Sequence, residues 1–101
     1  MMTAPTWLDV RTAGAPAALL ERARSYLAAH DGPTEPAGQL AQAGLAALAA
    51  TVASAGDRSA ALDLLAADAL VTLALLARAE RDPATLARFA AGIRDAGASS
   101  S

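Results

Sequence analysis

Residues 60–77 read AALDLLAADALVTLALLA. The run holds neither Gly nor Pro, and only Val71 and Thr72 are β-branched. Ala and Leu are strong helix formers, whereas strands draw on β-branched and aromatic side chains. The stretch therefore predicts a helix. Its large apolar residues do not form one stripe: Leu64, Val71 and Leu75 fall on one side, and Leu62, Leu65, Leu73 and Leu76 on another. A helix apolar nearly all round belongs in the middle of a molecule, covered from several directions. Asp63 and Asp68 interrupt the run. Charges there are costly in a bilayer, and the stretch is short for a span. It reads as a buried helix of a cytoplasmic protein, with no membrane partner.

The flanking residues punctuate this helix. Gly56 precedes it, Asp57 or Ser59 caps it, and it runs to about Arg81. Asp82-Pro83 then sets a cap before a proline and opens a further helix, with Leu86, Phe89, Ala90 and Ile93 as its buried face. Gly97 ends that helix, and residues 98–101 are expected to fray as a disordered C-terminal tail. Upstream of Gly56, Thr34 caps a helix with Glu35 and Pro36 in its first turn. Leu45, Leu48, Val52, Ala41 and Ala55 share one face of it, and Gln42, Ala46, Ala49, Ala50 and Ala53 the opposite one. Asp31-Gly32-Pro33 separates it from a helix running from Pro16 to His30, whose apolar face is Leu19, Leu20, Ala23, Tyr26, Leu27 and His30. Thr6-Trp7-Leu8-Asp9 resembles a capping box and predicts a short helix from Trp7 to Ala13, ended by Gly14. Short connections favour antiparallel neighbours. The expectation is one all-α domain over residues 1–97: four main antiparallel helices in an up-down bundle plus a short N-terminal helix.

Composition narrows the chemistry. The chain has no Cys and no Lys, one His, and a formal net charge of −2. Thiolate, Schiff-base and disulfide chemistry are excluded. The balance argues against a nucleic-acid or anionic-membrane binder, which needs a clustered basic surface. A helix-turn-helix across Val52–Leu65 is a remote DNA-binding alternative; its second helix opens Ser59-Ala60-Ala61-Leu62-Asp63 with Arg58 as its one basic residue, a poor match for phosphate. Met1 to Thr6 lacks the charged stretch and apolar core of a signal peptide.

Three places invite a functional reading. Asp68 and Thr72 are one turn apart between the leucine groups; if buried, they make a polar site inside the bundle, with Arg22, Arg24 and Arg78 as possible partners of the acid. Asp63 diverges from Asp68 by about 140° on a helix, so the two do not form a catalytic carboxylate pair. His30 reads as a satisfied helix-end histidine, with neither a metal-ligand pattern nor a nucleophile motif around it. The strongest lead is a negative one. No charged residue occurs between Glu35 and Asp57, so the face of Gln42, Ala46, Ala49, Ala50 and Ala53 is covered either by the chain's own helices or by a second copy. These readings point to a non-enzymatic interaction or self-association module, without cofactor or metal. Its expected partner is a homodimer mate or another helical protein, and the alternative is a small-molecule-binding bundle with a buried polar site at Asp68 and Thr72.

Overall fold

The computed structural model describes residues 2–30 and 35–99, and among these every regular element is helical. The helices are α1 (Ala4–Arg11), α2 (Ala17–Ala29), α3 (Pro36–Ala53), α4 (Arg58–Arg81) and α5 (Leu86–Ser99), with one 3-10 turn over Pro83–Thr85 leading into α5. The all-α class read from the sequence holds. Helix α1 begins three residues earlier than its expected capping box. Thr3 is the cap, its hydroxyl accepting the Thr6 backbone N–H, and Pro5 lies in the first turn. Asp9 is consequently free of any capping role and pairs with Arg24 at 2.9 Å. The cap expected at Thr34 lies outside the described residues, and α3 opens with Glu35 at the capping position. At the other end, α5 continues through Ala98 to Ser99, so the helix does not stop at Gly97; residues 100–101 lie outside the described residues.

Helices α3 and α4 form the spine. Four residues, Ser54–Asp57, join them, and Gly56 at φ +98° makes the reversal in a backbone region that side chains rarely adopt. The two helices lie against each other on small residues. Helix α3 buries Ala37, Leu40, Ala41, Ala43, Gly44 and Ala47, and α4 buries Ala66, Ala67, Leu70, Leu73, Ala74 and Ala77. Gly44 sets the separation: a Cβ there would stand 2.8 Å from Val71 Cγ2 and 3.2 Å from the Val71 backbone nitrogen. Close axes recover in dispersion what alanines lack in transfer energy.

The other helices lie on this hairpin. Helices α1 and α2 each touch α3 and α4, as does α5, yet among the described residues α5 touches neither α1 nor α2. The hairpin is thus a middle layer, with α1 and α2 on one side and α5 on the other. Helix α4 meets every other element, as its apolar perimeter predicted.

The apolar face expected on α3 is only partly buried: Ala41 is in the core, Leu45 is half-buried, and Leu48, Val52 and Ala55 are exposed. Leu45 and Leu48 reach toward α5, where their Cδ2 atoms come within 3.6 and 3.9 Å of the position a Gly97 Cβ would take. Val52 is 67% exposed. The hairpin seam selects the smallest residues, and the leucines are displaced to its flank. Helix α5 itself contributes no fully buried residue. Phe89 and Ile93 are partly buried against the core, and Leu86 and Ala90 are likewise half-buried.

Candidate functional site

Asp68 and Thr72 both lie on the solvent side of α4, beside the exposed Leu64, Leu65 and Leu76. They do not form an interior polar site. The acid inside the bundle is Asp63, 4% exposed, five residues earlier and on the face that meets α2 and α3. The spacing that separates two carboxylates on a helix sends one inward and the other outward.

Asp63 is held by α2. Its Oδ1 accepts from Arg22 Nη1 at 2.9 Å and from the Tyr26 hydroxyl at 2.9 Å. Arg22 and Tyr26 are one helical turn apart, so a single face of α2 presents a cation and a hydroxyl to one carboxylate. Burial, followed by the hydrogen bond and negative charge of Asp63, raises the Tyr26 hydroxyl above its ordinary value of 10.0. The arrangement is a clasp between α2 and α4. The sequence carried a signal for it: two donors a turn apart on α2, and an acid near the start of the central helix. His30 caps α2, its Nδ1 lying 2.9 Å from the Tyr26 carbonyl oxygen. Among the described residues, no group of three His, Asp or Glu side chains is placed to hold a metal ion.

The outward side of α3 is uncharged. Of the five residues on the uncharged face of α3, Gln42, Ala49 and Ala53 are exposed, and Ala46 and Ala50 are half-buried. Their own chain does not wrap them. Beside them stand the exposed Leu48 and Val52, and on α4 the exposed Leu64. Gly44 faces Val71; two turns further along antiparallel helices, Val52 comes level with Leu64. Helix α5 comes close to Leu45 and Leu48 at its Gly97. Val52 and Leu64 are both more than half exposed.

By length and composition α4 is apolar enough to cross a membrane, with a mean hydropathy of 2.0 over its most apolar window. It is also the central helix of the fold, with Asp63 clasped inside and Asp68 outside, an arrangement compatible with a soluble globule. Fold and surface together define an all-α chain built on a close-packed helical hairpin, of which α3 is uncharged and partly apolar on its outer side. No protein-family model matches this chain, and neither the comparison with curated proteins nor that with solved structures yields a relative.

Proposed function

We propose that this chain is a non-enzymatic self-association module of the cytoplasm, pairing with a second copy through the exposed side of α3 and the adjoining start of α4. One observation carries the reading: the C-terminal half of α3 exposes Leu48, Ala49, Val52 and Ala53 without a charged residue anywhere in the helix. Two identical copies of such a face meet without like-charge repulsion, and alanines let helices approach closely across a two-fold axis. A strongly charged partner would find nothing complementary there. Covering a Val or Leu that stands in water contributes about 1–2 kcal/mol each, so a few such residues on each copy supply a useful part of an association energy.

The test is mass in solution. Light scattering of the purified chain should give the mass of a dimer. Val52→Glu and Ala53→Glu, both at exposed positions, should give the mass of one chain with helicity unchanged. A monomer at high concentration in the unaltered protein would remove the proposal.

A further inference from the structure

We propose that the pocket at the end of the hairpin remote from Gly56 binds a small apolar carboxylate. The pocket has a volume of about 380 Å³ and opens between the start of α1, the first turn of α3 and the last turns of α4. Its floor is apolar: Trp7, Ala37 and Ala77 are 6%, 2% and 5% exposed, with Met2 and Pro36 at the sides. A volume of this size, with a mostly apolar lining and a few fixed polar groups, is at the small end of ligand sites in proteins.

The charges around it favour an anion. Three charged residues line it: Glu35, Glu80 and Arg81. Glu35 Oε2 accepts from Arg78 at 2.8 Å, and the Arg78 guanidinium lies 4.4 Å over the Phe89 ring. Glu80 pairs with Arg11, whose guanidinium stacks 4.9 Å from the Trp7 ring. Both carboxylates are thus neutralised by arginines that are themselves held by aromatic rings. Arg81 is the one charged lining residue without an ion-pair partner among the described residues. A carboxylate at Arg81 with its hydrocarbon part over Trp7, Ala37 and Ala77 uses the one unmatched charge and the dry floor together. Glu35 Oε1 also lies 2.8 Å from the Arg78 guanidinium, so this wall is closed by a complete ion pair. The two paired walls are in place before any ligand arrives, so little ordering opposes binding.

Trp7 is the single tryptophan of the chain, so its fluorescence reports this pocket alone. The purified protein is titrated with hexanoate, and in parallel with hexylamine and hexanol. The expected result is a saturable change of Trp7 emission with hexanoate in the millimolar range, and a weaker response to the amine and the alcohol. Arg81→Gln, at an exposed position, should weaken hexanoate binding by about tenfold or more while leaving the thermal midpoint unchanged. Ala37→Leu should abolish the response by filling the floor; circular dichroism confirms that this variant is folded, and the Arg81→Gln comparison stands without it. No saturable response to hexanoate, equal or tighter binding of hexylamine, or undiminished binding in Arg81→Gln would each overturn the proposal. The readout is independent of chain mass, so it stands apart from the association test.

Discussion

Tyr26 is the residue at which fold and chemistry are easiest to separate. It is the only Tyr, and the chain has neither Lys nor Cys, so it is the one side chain that titrates near pH 10. Burial and the Asp63 carboxylate raise its folded value, whereas the unfolded chain retains the ordinary one. The folded state therefore holds the proton more tightly. The stabilisation this represents is fully present below the unfolded value and is lost as pH rises through the folded one. Chemical denaturation followed from neutral pH upward should show stability falling once pH passes about 10. Tyr26→Phe should flatten that alkaline limb, and an unchanged limb would mean that the clasp does not govern it. Asp63 itself tests the clasp from the other side. Asp63→Ala leaves the Tyr26 hydroxyl without its acceptor and releases Arg22, which is 35% exposed and able to turn to water. The loss should therefore be about 1–3 kcal/mol in urea unfolding, below that for a fully buried pair.

At the scale of elements, Gly44 and Gly92 make a matched pair with opposite expectations. Both are helical, so replacing either by Ala contributes about 1 kcal/mol of intrinsic helix preference. At Gly92 nothing lies within 4 Å of the added Cβ, and the preference should appear as a gain of about 0.5–1 kcal/mol. At Gly44 the Cβ meets Val71 Cγ2 at 2.8 Å, the Val71 nitrogen at 3.2 Å and Leu70 Cβ at 3.3 Å. Two of these atoms belong to helix α4 at or next to its backbone, so the whole helix must move. Overpacking of that kind costs about 1–3 kcal/mol, and Gly44→Ala should be a net loss in thermal or urea unfolding. Equal effects at the two glycines would contradict the close seam. The same seam explains what was legible in the sequence. Helix existence was written in Ala and Leu content and in Gly14, Gly56 and Asp82-Pro83, which act locally. The inner face of α3 was not, because hydrophobic periodicity points at the largest side chains. Here the buried positions include Ala43, Gly44 and Ala47, while Leu48 and Val52 stand outside. Nor does spacing alone say which of Asp63 and Asp68 faces inward; that depends on where α2 lands, a tertiary fact. Thr3 ahead of Pro5 and Thr6 ahead of Trp7 are equivalent capping signals in sequence, and packing of Ala4 into the core favours Thr3.

For the molecule as a whole, the exposed side of the hairpin has a thermodynamic consequence beyond its mass. If two folded chains associate and unfolded chains do not, association and folding are linked, and stability depends on concentration. For a dimer that unfolds to two chains, a tenfold rise in concentration contributes about 0.7 kcal/mol per chain. In a domain of this length that corresponds to a rise in the thermal midpoint of about 3–5 °C. Scanning calorimetry across a hundredfold range of concentration should therefore show the midpoint climbing in steps of that size. Val52→Glu should make it flat. The contacts concerned are apolar and α3 carries no charge, so added salt should not reverse the climb. Screening would weaken an association built on ion pairs, and a midpoint dependence that disappears in salt would therefore place the contact at the arginines and acids elsewhere on the surface. A midpoint independent of concentration in the unaltered protein would show that the outward leucines and alanines of α3 and α4 remain in water, where single exposed apolar residues are tolerated.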